Sequence, residues 1–489
     1  MLVSFIVCLL LFLFVGLASY RFQRTYAHKS NPQDYYLASR SVAPWLVGLS
    51  AVATNNSGYM FIGVIGYTYS VGLSAGLLML GWILGDLLAS LLVHKKLRRL
   101  AQQYNESSYI SVLHQWAWFD GSRFRIVAAL IALVFLLAYA AAQLVAGGKA
   151  LQVLLHWPSW SGAVLGAVLV MLYCLAGGIR ASIWTDAAQS LVMVSAMGLM
   201  LVSLVKSLGG LDAVMSGLEA IPGFLSVTSA EVLLPGYWGV LIFFGGWLIA
   251  GFSVVAQPHI MVRFMALNDE RGFVRTRIWY YLWFLVFYAM ATAVGMLARL
   301  YLPDTAGFDS ELALPSIALE LLPPVLVGLV LAGIFAATIS TADSLLLSCS
   351  SFLSQDLFPR QFASRYGIKI ATLLVTLAAL GWALLNRQSV FALVIFSWAM
   401  LGACFLPIIL LLLMRVSITE TKALVAMLLG CGSVLGWHFW GKAQVLNGGD
   451  LYQGAPALLI CLLVVGLWWW GERMTSAKPD NPKSADSGL

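Results

Sequence analysis

Five residues in a row, Thr54-Asn55-Asn56-Ser57-Gly58, place amides, hydroxyls and a glycine inside an apolar stretch running from about 43 to 68. Asn, Ser and Gly are poor helix formers, so unwinding here would free carbonyls to ligate a cation and N–H groups to face a carboxylate. A second hydroxyl-rich stretch, Ala336-Ala337-Thr338-Ile339-Ser340-Thr341-Ala342-Asp343-Ser344, follows much later. Positions 337, 340, 341 and 344 are three and four apart and share one helix face. The hydroxyls of Ser340 and Thr341, joined by carbonyls released from an unwound partner, would form a small all-oxygen site that suits sodium and not soft metals. The competing reading is structural: interhelical hydrogen bonds in the first stretch, and hydroxyls bonded one turn back in the second.

Asp86, Asp186 and Asp343 are the carboxylates placed within or at the ends of apolar spans, where a charge is a functional candidate by default. Asp343, three residues after Ser340, could add charge to a second cation site. Asp186 could equally be a helix-start carboxylate stabilised by the dipole, and Asp86, in Gly85-Asp86-Leu87, reads as a structural partner. Arg263 and the cluster Arg271, Arg275 and Arg277 read as topogenic charge, and Trp468-Trp469-Trp470 as an interfacial belt. There is no Walker loop, no GxGxxG before a strand, and no acid–base pair suited to hydrolysis, which argues against an ATP-driven pump or an enzyme.

The elements that carry these residues lie in lipid. Of 489 residues, 61% are hydrophobic and 10% charged, against about 25% charged in a soluble domain. The net charge of +7 is spread over short loops between apolar spans, which disfavours nucleic acid as a partner. Cys8, Cys174, Cys349, Cys404, Cys431 and Cys461 all fall in apolar segments without CxxC spacing and read as packing residues. Apolar stretches long enough to cross a bilayer fall at about 3–20, 43–68, 73–93, 124–150, 160–178, 187–207, 236–259, 278–300, 318–350, 370–386, 390–414, 421–440 and 454–471. With the N-terminus outside, only Lys149, Lys206, Arg299, Arg387 and Lys442 lie outside and every other Lys and Arg lies in the cytoplasm. The positive-inside rule therefore gives an N-out, C-in chain.

Thirteen spans divide into one leading helix (with its loop, 1–42), five (43–207), an outer loop (208–235), five more (236–414), and two closing helices (415–473). A polar tail at 474–489 is expected to be disordered. An odd number of crossings per half inverts the second half, as an inverted-repeat carrier requires. The first helix of each half is interrupted, by Thr54 to Gly58 in one and by Gly245-Gly246 with Gly251-Phe252-Ser253 in the other. The outer loops 208–235 and 301–317 carry Asp212, Glu219, Glu231, Asp304, Asp309 and Glu311 and are expected to hold short helices or gate the outer mouth.

At these residues the chain resembles the sodium:solute symporter family, most of all its proline-carrying bacterial members. The shared stretches are Asp34 to Ser41, Leu49 to Gly58, Gly177-Gly178, Trp184-Thr185-Asp186 with Gln189, Gln257-Pro258-His259-Ile260 with Arg263 to Ala266, Ser340-Thr341, Cys349 to Ser351 and Asp356-Leu357. The resemblance implies an all-α, leucine-transporter-type 5+5 inverted repeat with one extra N-terminal and two extra C-terminal helices. It implies a sodium site made by carbonyls at Ala53, Asn56 and Ala337 and by the hydroxyls of Ser340 and Thr341. It also implies a second cation or proton site among Asp186, Ser340, Asp343 and Ser344, with Asp343 where serine is more usual. Tyr139 and Gln143 match positions that line the family's solute cavity. Two departures stand out. Asn55 replaces the aspartate of proline-carrying members, and their aromatic pair falls here on Ala250 and Val254, with Trp247 and Phe252 nearby.

The expectation is therefore a monomeric, multi-pass protein of the bacterial inner membrane that couples Na+ to the movement of a small organic solute, an amino acid of proline type favoured, by alternating access. Asn55, Ser57, Gly58, Tyr139, Gln143, Trp247 and Phe252 shape its solute pocket. The alternatives are a proton-coupled carrier of another solute such as a small carboxylate, a transporter-fold sensor, and a channel.

Overall fold

The computed structural model describes residues 1–26, 32–228, 236–303, 308–385, 389–441 and 451–476, with side chains described at all of these except 20–26 and 469–476. The expected tail beyond Ser476 and the positions Glu231, Asp304, Arg387 and Lys442 lie outside the described residues, as do the side chains of Trp469 and Trp470; residues 474–476, expected in the tail, are helical.

Helix α1 spans Leu2–Tyr26. Helix α2, Pro44–Asn55, starts on a proline whose missing N–H costs nothing in the first turn, and it ends where Asn56 leaves helical geometry (φ −92°, ψ 68°). The chain resumes as α3, Tyr59–Val71, which opens with a π turn and stops at Gly72 (φ 73°). Helix α4 spans Ser74–Gln103 and α5 Arg123–Leu155. Helix α6, Ser159–Ser207, is broken at Gly178 (φ 55°), where the Tyr35 carbonyl would lie 2.4 Å from any Cβ, so only glycine serves there.

Helix α7, Gly236–Phe252, runs on as a 3-10 turn, Ser253–Ala256, before Gln257 turns extended and α8, Pro258–Met265, begins. The interruption was expected at Gly245-Gly246 and Gly251-Ser253. The helix passes through all three glycines and breaks next to Pro258, whose ring disfavours helical geometry in the preceding residue. Helices α9 (Phe273–Tyr301), α10 (Pro324–Ser351), α11 (Arg365–Leu385), α12 (Val390–Leu413), α13 (Glu420–Gly436) and α14 (Gly454–Ser476) complete the chain. The expected outer loops carry the short helix Leu211–Glu219 and the start of the helix Ala313–Leu321.

Among the described residues ten helices are long and apolar enough to cross a membrane, accompanied by the shorter apolar helices Tyr59–Val71 and Gly454–Trp468. The difference from thirteen has three sources. The 43–68 stretch is split into α2 and α3, 160–178 and 187–207 join in α6, and Gly454–Trp468 is short.

Helix α10 lies at the centre, against α6, α5 and α1, and crosses α2 near its break. Helices α4 and α7 lie along one another. Their contact is stripped of side chains: a Cβ on Gly85 would fall 2.0 Å from the Leu248 carbonyl oxygen, and one on Gly251 2.0 Å from that of Trp82. Small residues let membrane helices approach to backbone contact, where dispersion and weak polar contacts take the place of a hydrophobic drive.

Candidate ion and solute site

The break after α2 meets the middle of α10. Ser340 Oγ donates to the Ala53 carbonyl (3.2 Å) and shares its proton with Ala337 O (3.1 Å), while Thr341 Oγ1 donates to Thr54 O (2.9 Å). Thr54 Oγ1 lies 3.0 Å from Ser344 Oγ. All of these residues are buried. Asn56 returns its backbone N–H and its Nδ2 to Val52 O, both at 2.9 Å, and leaves Oδ1 buried without a partner among the described residues. Four of the five residues expected to hold sodium thus meet as an uncharged set of hydroxyl and carbonyl oxygens, with Asn56 at the adjacent break. That chemistry fits a hard monovalent cation. No cluster of His, Cys, Asp or Glu suited to a metal ion occurs among the described residues.

One turn further along α10 the environment is charged. Asp343 accepts from Tyr173 OH (2.6 Å), Ser182 Oγ (2.8 Å) and Ser344 Oγ (2.9 Å), and Asp186 accepts from Ser50 Oγ (2.6 Å). Arg263 Nη2 stands 3.3 Å from Asp186 and 3.5 Å from Asp343 and also donates to the hydroxyls of Ser182 and Ser344. Arg263 is fully buried, so its reading as topogenic charge is corrected: α8 carries it inward, and it serves two carboxylates. The group expected to form a second cation site already holds a guanidinium. Two carboxylates in lipid need a cation, which was the available signal for Arg263.

On the other side of the break, the Gly58 N–H donates to Gln143 Oε1 (2.9 Å) and Tyr139 OH to Ser57 Oγ (3.3 Å). Tyr139 and Gln143 are one turn apart on α5, so one helix face holds Ser57 and Gly58 within the break. The Tyr139 ring stands edge-on to His259 (5.5 Å), whose two ring nitrogens are buried without partners among the described residues.

Asn55 faces another way. Its Nδ2 donates to Asp86 Oδ2 (3.0 Å) and to Tyr280 OH (2.6 Å); Tyr280 OH donates to Asp86 Oδ2 (2.7 Å) and Tyr281 OH to Asp86 Oδ1 (2.7 Å).

Trp247 packs on Trp82 (5.9 Å, 25°), which also meets Trp398 (4.8 Å) and Tyr59 (6.1 Å). Trp82, Trp398, Asp86, Tyr280, Tyr281 and His259 were not among the expected solute residues. Phe252 stands apart from the cluster: it is only partly buried and ends α7 beside Gly85. Outside the aromatic cluster, Phe391 stacks between Tyr59 (5.2 Å) and Tyr67 (5.5 Å).

Above them lies a cleft of about 400 Å³ lined by Tyr67, Lys149, Asp309, Glu311, Ser389 and Phe391. Glu311 accepts from Lys149 Nζ (2.6 Å), Ser389 Oγ (2.6 Å) and the Phe391 N–H (3.0 Å). It joins the loop before the helix Ala313–Leu321, the end of α5 and the start of α12. Burial alone would push the Glu311 carboxyl up, but these donors together with the Lys149 charge hold it below its ordinary value.

Residues 35–430 match the model of the sodium:solute symporter family. The sodium/proline symporter of Salmonella typhimurium is 29% identical over 502 residues, covering 100% of this chain and 96% of the relative. That of Escherichia coli is 30% identical over 455 residues, covering 90% and 88%. Among solved structures, a Na+-coupled sialic acid symporter in a substrate-bound outward-open state superposes with a TM-score of 0.76 at 19% identity, covering 94% of this chain and 95% of that one. MhsT in complex with L-phenylalanine gives 0.55 at 15%, covering 87% and 97%. The likeness places the fold among transporters of the leucine-transporter type.

Proposed function

The chain belongs to the sodium:solute symporter family, and from that premise we propose that it moves a small amino acid of proline type into the cell together with Na+. The observation that carries this reading is the seating of Ser340 and Thr341 on the carbonyls of the broken α2, an oxygen set that an entering sodium would take over. Sodium held there ties α2 to α10. A solute held by Ser57, Gly58, Tyr139 and Gln143 ties α2 to α5. Coupling follows if both ligands favour the same arrangement of these helices, since a ligand shifts an equilibrium only by its differential affinity for the two states. The same reading takes the chain as thirteen crossings in a 5+5 inverted repeat with one helix before and two after, N-terminus outside and C-terminus inside, monomeric in a bacterial inner membrane. The broken pairs α2–α3 and α7–α8 are the first helices of the two halves.

The test is uptake of radiolabelled L-proline into proteoliposomes under an imposed sodium gradient or an imposed proton gradient. Accumulation with sodium alone is expected. Accumulation driven by protons without sodium would overturn the ion assignment and favour the proton-coupled alternative. Saturation at high solute excludes a channel.

A further inference from the structure

Among the described buried carboxylates, Asp86 is served differently from Asp186 and Asp343. Asp186 and Asp343 share Arg263, whereas Asp86, fully buried on α4, has no cationic partner within ion-pair distance among the described residues. Its neighbours are three uncharged donors, the Asn55 amide and the hydroxyls of Tyr280 and Tyr281. A carboxylate offers about four acceptor positions, so these donors leave one unused. Asn55 Oδ1, on the amide that touches Asp86, is also buried and without a partner among the described residues. Two oxygen acceptors, one of them a carboxylate, therefore lie together at the α2 break. An ionised carboxylate at this depth is costly without a cation, and a cation brought in by the ligand would supply one.

The surroundings select the kind of cation. Trp82 precedes Asp86 by one helical turn and lies on the same face of α4. Its ring joins those of Trp247, Trp398 and Tyr59. Electron-rich ring faces attract a weakly hydrated organic cation, and the attraction grows when water is excluded. Bare sodium is already suited by the uncharged oxygen set at Ser340 and Thr341, which meets the carbonyls of Ala53 and Thr54. We propose that Asp86 and Asn55, with Trp82 above them, are the subsite for a positively charged nitrogen of the transported solute, and that α4 thereby determines specificity. This rests on the transport reading above and narrows it. Solutes bearing an ammonium, including zwitterionic amino acids and betaines, are ligands; nitrogen-free carboxylates and solutes with an acylated nitrogen are not.

Tryptophan fluorescence of the full chain in detergent, to which Trp82, Trp247 and Trp398 contribute among 18 tryptophans, reports solute binding. Titrations use L-proline, glycine betaine, N-acetyl-L-proline and L-lactate in saturating sodium, and sodium is titrated separately. The wild type is expected to respond to at least one of the first two and to neither of the others. Asp86→Asn should weaken that response tenfold or more, with the sodium half-saturation unchanged. Asp86→Glu should recover part of it, and Tyr281→Phe, which keeps the charge, should weaken it less. If Asp86→Asn does not fold, Asp86→Glu and Trp82→Leu decide the matter through the same loss of affinity for the nitrogen cation. Wild-type binding of L-lactate or N-acetyl-L-proline as tight as that of L-proline overturns the proposal. So does an Asp86→Asn chain with unaltered affinity, or a wild type that responds to neither nitrogen cation. A chain that prefers nitrogen cations but ignores sodium would instead overturn the coupling assignment and leave the subsite standing.

Discussion

The guanidinium of Arg263 lies 3.3 Å from the carboxylate of Asp186, both fully buried, and the same nitrogen reaches Asp343 at 3.5 Å. One positive charge therefore answers two negative ones, and the cluster is asymmetric towards substitution. Arg263→Gln leaves two facing carboxylates without a cation and is expected to destabilise by about 3–5 kcal/mol, the usual result of stranding a buried charge. Asp343→Asn leaves a one-to-one pair and should cost far less. Thermal midpoints of the purified variants in detergent rank them; Asp343→Asn proving as damaging as Arg263→Gln would refute the charge balance.

Ser340 and Thr341 contribute hydroxyls to the oxygen set without any net charge. Thr341→Ala should raise the sodium half-saturation of uptake roughly tenfold or more, equivalent to about 1.4 kcal/mol. Thr341→Ser, which keeps the hydroxyl, should stay near the wild type. Sodium dependence unmoved by Thr341→Ala would remove these residues from the ion site.

Gly85→Ala sets a methyl group 2.0 Å from a backbone oxygen and 2.6 Å from the Phe252 nitrogen. Backbone cannot swing aside as a side chain can, so a cost of about 1–3 kcal/mol or more is expected. Gly245→Ala, with nothing within 4 Å of the new carbon, should be neutral to within about 0.5 kcal/mol. The two variants differ only in place, so equal unfolding midpoints would contradict the packing of α4 on α7.

Glu311 supplies a pH test at the cleft beside Lys149 and Ser389. Its carboxyl is held below the ordinary glutamate value, so the ionised form is the one favoured by the fold. The stabilisation is then complete above about pH 4.3 and is lost as pH falls through the lower folded value. Amide exchange over residues 309–313, corrected for intrinsic rates, should keep constant protection from neutral pH down to about 5 and lose it in stronger acid. Glu311→Gln should lower the protection and flatten its pH dependence; identical profiles would show that the carboxylate does not tether the loop.

What was legible in the sequence was whatever a local pattern could carry. Apolar length located the helices, and the polar run at Thr54 to Gly58 located the break in α2, because Asn, Ser and Gly are poor helix formers. The break in α7 was misplaced onto its glycines, since in lipid a glycine can mean close packing as readily as unwinding. Pro258, which restricts its neighbour by sterics alone, was the better marker.

Arg263 was misread for a different reason. Its partners lie 77 and 80 positions away along the chain, and charge near a span end has a ready topological explanation. The meeting of Asn55 with Asp86, 31 positions apart, likewise depends on how α4 lies against α2, which no periodicity encodes. Phe252 was placed in the pocket for its position near Ala250 and Val254, and its backbone lies at the seam with Gly85.

That seam has a mechanical meaning. Where Gly85 and Gly251 bring two backbones into direct touch, there are no rotamers to rearrange and no soft layer in which one helix could slip past the other. Helices α4 and α7 are therefore joined like the flanges of a single beam. Any rocking that opens the cavity to one face and then the other must carry both together, and must find its compliance elsewhere, at the breaks beside Asn56 and Gln257.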